Sequence, residues 1–329
     1  MTVALSELLR AARVVSLPLT TRFRGIDTRE ALLLEGPAGW TEFSPFVEYD
    51  DAEAVAWLRA ALDFGWREPF LPADAPTRIR VNATLPAVDG DSVAGVLARF
   101  PGCRTVKVKV AQVGQELSDD VDRVSRARDY LGPDGRIRID ANGAWNLDEA
   151  EHAIHALAEF DLEYIEQPCA TIDELGQIRK RVKYMGIPIA ADESVRKSED
   201  PIAVAEARAA DILILKAQPL GGIERALEII EQAALPVVIS SALDTSIGIS
   251  MGAYLAASIP GGPTYDSGLG TAALLAADVT TEPLLPTDGA IDVRRVEVSE
   301  KLLTKYAAPK DRTDWWLARL TRVHALLEQ

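Results

Sequence analysis

From about residue 79 onward, short apolar runs alternate with longer amphipathic stretches, and the alternation recurs eight times. The runs are IRVNATL (79–85), TVKVKVA (105–111), RIRIDANGAW (136–145), EYIEQPC (163–169), IPIAADES (187–194), ILILKAQP (212–219), PVVISSAL (236–243) and PTYDSGLGT (263–271). Their β-branched residues and period of 2 predict strands. The intervening segments, such as LSDDVDRVSRARDYLG (117–132) and GGIERALEIIEQAA (221–234), carry the apolar spacing of helices. Asp148, Glu149, Asp173 and Glu174 fall in first helical turns, where the macrodipole favours acids. Gly132 and Gly186 stand where helix C-caps are expected.

Strand and helix alternating eight times over roughly 220 residues predict a (β/α)8 TIM-type barrel. A doubly wound open sheet competes, but NATLPAVDGDS (82–92) after the first strand is no glycine-rich phosphate loop. Residues 1–75 break the rhythm: residues 13–45 read as strands with turns, and DDAEAVAWLRAALDFG (50–65) as a helix. DRTDWWLARLTRVHALLEQ (311–329) reads as a last helix. The expected organisation is therefore an α+β capping domain over 1–75, with 300–329 returning to it, and a barrel over 76–299. The connection PLTTRFRGID (18–27) is short between strand-like flanks, which predicts a small, rigid lid.

Functional groups of such barrels gather at the C-terminal ends of the strands. Read in order, those ends carry Lys107 and Lys109, Asp140 with Asn142, Glu166, Asp192 and Lys216. The steps from Lys109 are 31, 26, 26 and 24 residues, about one strand–helix unit each. Period 2 turns Asp140 and Asn142 to one face of their strand and Ile137 and Ile139 to the other. Three carboxylates from consecutive strands then converge in the barrel mouth. Unpartnered, they would repel one another and resist ionisation. A hard divalent cation resolves the conflict, and an all-oxygen set without Cys or His selects Mg2+ or Mn2+. Lys107 and Lys109 share a face about 7 Å apart along their strand. As an edge-strand device against aggregation they would be unremarkable, but a closed barrel has no edge. A neighbouring cation disfavours the charged form of an ammonium. Lys107 therefore reads as the group that readies Lys109 as a base. A metal flanked by amine bases points to removal of a proton α to a carboxylate.

Composition narrows the setting. With 35 basic and 50 acidic residues the net charge is −15, which argues against nucleic acid or an anionic membrane as partner. No run approaches the roughly 18 apolar residues of a membrane span, and Glu7, Arg10 and Arg13 interrupt the N-terminal stretch. A soluble, cytoplasmic protein is expected, with its oligomeric state left open. Cys103 and Cys169 match no disulfide framework or metal spacing. His152, His155 and His324 lie in helical stretches and are expected on helix surfaces, so the base must be another residue type.

The ordered set FRGIDTREALLLEGPAGWTEFSPFVEYDDAEA, TVKVKVA, IDANGAW, EQPCATIDEL, IAADES, LKAQPLGGI and SSALDTSIG resembles the muconate-lactonizing branch of the enolase superfamily. Within it, the match is nearest to the o-succinylbenzoate synthase family of actinobacterial type, over nearly the whole chain. Thr41 stands where that family more usually has glycine. The resemblance implies metal ligation by Asp140, Glu166 and Asp192, and catalysis by Lys109 and Lys216. It implies a Mg2+-dependent dehydratase of menaquinone biosynthesis acting on a small carboxylate, 2-succinyl-6-hydroxy-2,4-cyclohexadiene-1-carboxylate. Lys109 would move both protons on one face, and Lys216 would offer its cation across the ring. Lys107 and Asn142 would support the site. Ser241, Ser267, Gly268 and Leu269 would hold the succinyl end. An N-acyl (N-succinyl) amino acid racemase, a muconate cycloisomerase and a non-catalytic binding barrel remain as alternatives.

Overall fold

The computed structural model describes residues 3–23, 25–196 and 200–327. A short helix α1 (Leu5–Ala11) leads into an antiparallel meander of β1 (Ala12–Phe23), β2 (Ile26–Gly36) and β3 (Gly39–Phe43). Helix α2 (Asp51–Trp66) follows, with Asp50 capping it by accepting from the Glu53 amide at 2.7 Å. Ala31–Leu34 of β2 and Trp57, Leu58, Ala61 and Phe64 of α2 are buried. The helix comes down on the meander through glycine. A Cβ on Gly36 would lie 2.0 Å from the Gly65 carbonyl oxygen, and one on Gly65 would lie 2.7 Å from Thr41 Cγ2. Thr41 is accommodated because Gly65 gives it room.

The next strands are β4 (Arg78–Arg80), β5 (Ala83–Leu85), β6 (Thr105–Lys109), β7 (Arg136–Asp140), β8 (Leu162–Glu166), β9 (Ile189–Ala191), β10 (Ile212–Leu215) and β11 (Val237–Ile239). From β5 to β11 they form one parallel seven-stranded sheet in sequence order. Seven helices interleave: α3 (Val93–Leu97), α4 (Leu117–Leu131), α5 (Leu147–Leu157), α6 (Ile172–Val182), α7 (Asp200–Glu206), α8 (Ile223–Ala233) and α9 (Ser246–Ser258). Gly132 and Gly186 close their helical segments at φ 73° and 72°, as the sequence predicts.

The sheet closes into the expected TIM-type barrel, but its eighth position departs from expectation. Residues 263–271 form no regular strand. Ser267 and Gly268 instead bridge both neighbours, the Ser267 amide donating to Arg80 O at 2.8 Å and the Gly268 amide to Ile239 O at 2.7 Å. A 3-10 turn at Gly270–Leu274 follows at once and leaves no length for a ladder. The first run, 79–85, is likewise divided. Its β4 portion pairs antiparallel with β12 (Ala290–Asp292), and its β5 portion pairs parallel with β6.

After α10 (Glu300–Lys305), the last helix, α11 (Lys310–Leu327), returns to the N-terminal meander. Arg312 and Trp316 donate to Glu30, Arg322 pairs with Asp51 at 2.6 Å, and Arg319 donates to the carbonyls of Pro45, Phe46 and Tyr49. His324 corrects an expectation. It is buried, with Nε2 2.8 Å from the Val3 carbonyl oxygen, because α11 presses it against the N-terminal segment. His152 and His155 are exposed as expected. No helix among the described residues is long and apolar enough to cross a membrane.

Candidate active site

Parallel register puts the chemistry on one level. Lys109 is the partner of Asp140 across β6 and β7, and Asp140 is the partner of Glu166 across β7 and β8. Glu166 is the partner of Ala190 on β9, and Asp192, two residues on, points to the same side. One oxygen each from Asp140, Glu166 and Asp192 lies within 4.8 Å of the others. All three side chains are buried.

The lysines interleave with these acids. Lys107 Nζ lies 2.8 Å from Glu166 Oε1 and 3.0 Å from Asp140 Oδ2. Lys109 Nζ contacts Asp140 Oδ2 and donates to Asn142 Oδ1 at 2.8 Å. On the far side, Lys216 Nζ contacts Asp192 Oδ1. Burial opposes the Lys107 ammonium, yet Asp140, Glu166 and Asp192 outweigh it and hold its pKa well above the ordinary lysine value. Burial also opposes ionisation of Asp140, but Lys107 and Lys109 keep its carboxyl far below the usual range. Asp192 is held down likewise, by Lys216 and Lys107 against burial. Glu166 is the loser. Burial first, then the charge of Asp140, pushes it up to about 8.

That imbalance tests whether a cation fits. Glu166 Oε2 is buried without a hydrogen-bond partner, a costly arrangement for a carboxylate. It belongs to the same trio of converging oxygens. A hard divalent cation satisfies the orphan oxygen and removes the repulsion together. The residues fit a divalent metal site.

A second layer of residues holds this one in place, and the sequence reading passed over most of it. Asn142 sits at φ 49°, a left-handed conformation asparagine tolerates. Its amide donates to Asp140 Oδ1 at 2.9 Å and its side-chain nitrogen to Glu193 Oε1 at 3.1 Å. Gln167 Oε1 accepts from the amides of Asp192 and Ser194, while its Nε2 donates to Cys169 O and Ser194 Oγ. This ties the ends of β8 and β9 together. Arg123 Nη1 donates to the Lys109 carbonyl at 3.0 Å from α4. A polar residue directly after Glu166, in a buried strand end, was the signal available for Gln167.

A narrow cavity beside the acids and lysines is lined by Phe23, Phe46, Thr84, Ser240, Ser241, Leu243, Gly268 and Thr271. Phe23, at the end of β1, lies under the Lys109 ammonium with its ring centroid 5.6 Å away. The lid expected over 18–27 is thus a hairpin tip, of which Arg24 lies outside the described residues. Ser241 Oγ faces the Gly268 carbonyl and Thr271 Oγ1 at 2.9 and 2.7 Å. Ser267 and Leu269 do not line the cavity. Ser267 is fully buried in the eighth position, and Leu269 packs behind, where a Cβ on Gly252 would meet it at 2.6 Å. A larger cavity, about 780 Å3, opens at the opposite end of the barrel beside Arg78, Arg80 and Arg136. It holds none of the acid–lysine cluster, and Arg78 and Arg80 are paired there with Asp292 and Asp266.

Residues 91–297 match the enolase C-terminal domain-like family model, and residues 14–65 match the enolase N-terminal domain-like model. The chain is 50% identical over 320 residues to the o-succinylbenzoate synthase of Thermobifida fusca, covering 96% of this chain and 97% of that protein. It is 49% identical over 325 residues to the o-succinylbenzoate synthase of Mycolicibacterium smegmatis, covering 98% of each. The chain belongs to the o-succinylbenzoate synthase family of the enolase superfamily. Among solved structures, 2-chloromuconate cycloisomerase from Rhodococcus opacus 1CP superposes with a TM-score of 0.76 at 22% identity, covering 91% of this chain and 98% of that one. Muconate lactonizing enzyme from Pseudomonas putida gives 0.73 at 20% identity, covering 90% and 98%. At that identity the two structures speak for the fold alone. Membership of the o-succinylbenzoate synthase family rests on the half-identical relatives.

Proposed function

We propose that the chain is an o-succinylbenzoate synthase, a cytoplasmic dehydratase that converts 2-succinyl-6-hydroxy-2,4-cyclohexadiene-1-carboxylate into aromatic o-succinylbenzoate and water. The observation that carries this is about 50% identity to synthases of that name over nearly both full lengths, with the lysine and acid set intact. Asp140, Glu166 and Asp192 hold one Mg2+, for which Mn2+ substitutes. When bound, that cation supplies a counter-charge for the negative charge that develops on the substrate carboxylate.

Lys109, in its neutral form, takes the proton α to the carboxylate. The same Nζ then returns that proton to the departing hydroxyl, so water leaves and the base is restored. Both transfers occur on one face, and one lysine suffices for them. Asn142 holds the Lys109 ammonium between transfers, and Arg123 fixes the strand end that carries it. Lys107 remains a cation between Asp140 and Glu166, which is the state a tuning role beside Lys109 requires. Lys216, across the cavity, supplies a fixed positive charge to the ring face. Phe23 and Phe46 exclude water, and Ser241 with the Gly268 backbone borders the succinyl end.

The near-mirror placement of Lys109 on Asp140 and Lys216 on Asp192 favours one second reading, racemisation of an N-acyl amino acid. There, each lysine would serve one face of the α-carbon. The test is loss of ultraviolet absorbance of the cyclohexadiene by purified enzyme with Mg2+, run beside polarimetry on N-succinyl amino acids. Turnover of the cyclohexadiene that stops on chelation and resumes with Mg2+ supports the proposal. Racemisation without dehydration overturns it.

A further inference from the structure

The cavity wall formed by residues 240–243 is held from outside the barrel. This stretch leaves the end of β11 and turns into α9, and Ser240, Ser241, Ala242 and Leu243 all line the cavity. Leu243 is bent to φ 61°, a left-handed conformation a leucine adopts only when its surroundings dictate it. The holder comes from β2. Arg29, 3% exposed, donates from Nε to the Leu243 carbonyl at 3.1 Å and from Nη2 to the Ala242 carbonyl at 3.3 Å. The same Nη2 donates to Ser44 O and Ser44 Oγ. The guanidinium also lies 4.4 Å from the ring centroid of Phe46, which lines the cavity too.

Glu42, on β3, secures the other end of the turn. Its Oε2 accepts from the Thr245 amide at 3.1 Å, Thr245 Oγ1 at 2.6 Å and the Gly248 amide at 3.1 Å, so it sits on the N-terminus of α9. Its Oε1 accepts from Ser44 Oγ at 2.5 Å, which joins it to the Arg29 network. Asp244 completes the turn from within. It accepts from the Ala242 amide and from Gln218 Nε2, and Gln218 lies two residues beyond Lys216.

We propose that Arg29, braced by Glu42 through Ser44, is a positioning residue that sets the Ser241–Leu243 wall and the Phe46 ring in register with Lys109 and Lys216, and so governs recognition of the substrate's non-reacting end. This rests on the dehydratase reading above. A clamp serving stability alone has no need to grip the carbonyls of cavity-lining residues. Arg29 grips two of them and stacks on a third wall. Its planar fork is what allows one side chain to do all three.

The test is Arg29→Lys, which keeps the cation opposite Glu42 and Asp244 but loses the fork. Ser44→Ala serves as a milder variant that removes one shared hydroxyl. Arg29→Lys should raise KM for the cyclohexadiene at least about 10-fold with kcat within about 3-fold, and Ser44→Ala should raise KM about 3-fold. Affinity for Mn2+, read by titration without substrate, should be unchanged in both. Amide exchange at Ala242 and Thr245 should quicken at least about 10-fold in Arg29→Lys, whatever the substrate. Unchanged KM in a folded Arg29→Lys enzyme overturns the proposal, as does a lowered melting temperature with wild-type kinetics. If Arg29→Lys does not fold, wild-type KM in Ser44→Ala overturns it. If the wild type fails to dehydrate the cyclohexadiene, the functional reading falls. The exchange rates then decide the wall alone: faster exchange supports the clamp, and unchanged exchange overturns it.

Discussion

Two buried clusters of mixed charge lie beside the cavity wall, and they are built to different rules. In the cluster of Arg29, Glu42 and Asp244, both oxygens of each carboxylate accept hydrogen bonds from backbone or side-chain donors. In the cluster of Asp140, Glu166 and Asp192 with three lysines, Glu166 Oε2 is left buried without a donor. Both sets carry the cost of burying charge. The first meets it with hydrogen bonds internal to the fold, and the second keeps a deficit that an outside cation can fill. Burial and charge alone do not separate a structural ion cluster from a reactive one. In this pair, a carboxylate oxygen left without a donor does.

Removing the reactive amine should produce the largest effect. Lys109→Ala should lower kcat at least about 1,000-fold, since one group serves both proton transfers, while the melting temperature and Mn2+ affinity stay near wild type. Absorbance kinetics measure the first and thermal unfolding the second. Residual turnover within about 10-fold of wild type would place the base elsewhere. Glu166→Gln sharpens the contrast from the other side. It relieves the carboxyl that burial and Asp140 push up to about 8, so the protein should stay folded. Metal affinity, read by Mn2+ titration, should nevertheless fall by at least about 100-fold. The equivalent change in the other cluster, Glu42→Gln, should leave metal affinity untouched. Equal losses from both would erase the distinction.

A further separation concerns the two lysines. The proposed dehydration uses Lys109 as acid and base and Lys216 as a fixed cation, whereas racemisation needs both as bases. The hairpin tip carrying Phe23 borders the narrow cavity that both lysines line. Dehydration should therefore exceed racemisation of N-succinyl amino acids by at least about 100-fold in kcat/KM, equivalent to about 2.7 kcal/mol. Polarimetry and absorbance on one preparation decide it, and comparable efficiencies would mean a bifunctional enzyme.

The convergence of the acids and lysines was legible in the sequence because they obey two periods at once. Period 2 assigns Lys107, Lys109 and Asp140 to one strand face, and a step near 25 residues brings Asp140, Glu166 and Asp192 to one level. The structural cluster obeys neither. Glu42 and Thr245 are 203 residues apart and Arg29 and Leu243 are 214 apart, so only the folded chain brings them together. In GWTEF, Glu42 is an ordinary acid on a strand. The eighth barrel position misled for a related reason. Residues 263–271 have strand composition, yet pairing is confined to Ser267 and Gly268 by the turn that follows. His324 was misplaced because its helix reads as amphipathic while the surface beneath it belongs to the other end of the chain.

The smallest expected effect is the dependence of stability on pH that Glu42 contributes from the structural cluster. Burial first, and then the charge of Asp244, pushes Glu42 up to about 7, with Arg29, Ser44 and Thr245 opposing. The ordinary value for the unfolded chain is 4.5. Between those limits the folded protein holds a proton that the unfolded chain has released. The contribution to stability is therefore fully present below about 4.5 and is lost as the pH rises through about 7. Glu42→Gln carries no titrating proton and can still accept at the α9 N-terminus. Asp244 repels Glu42 and feels its loss in return, so the difference between the two proteins reports on this pair. The melting temperature of Glu42→Gln minus that of wild type should climb by a few degrees from pH 4.5 to 7 and level off above pH 7.5. Asp244→Asn removes the repelling charge and should flatten the climb. Parallel wild-type and Glu42→Gln profiles across this window would show that Glu42 is ionised throughout, and that hydrogen bonding has compensated its burial completely.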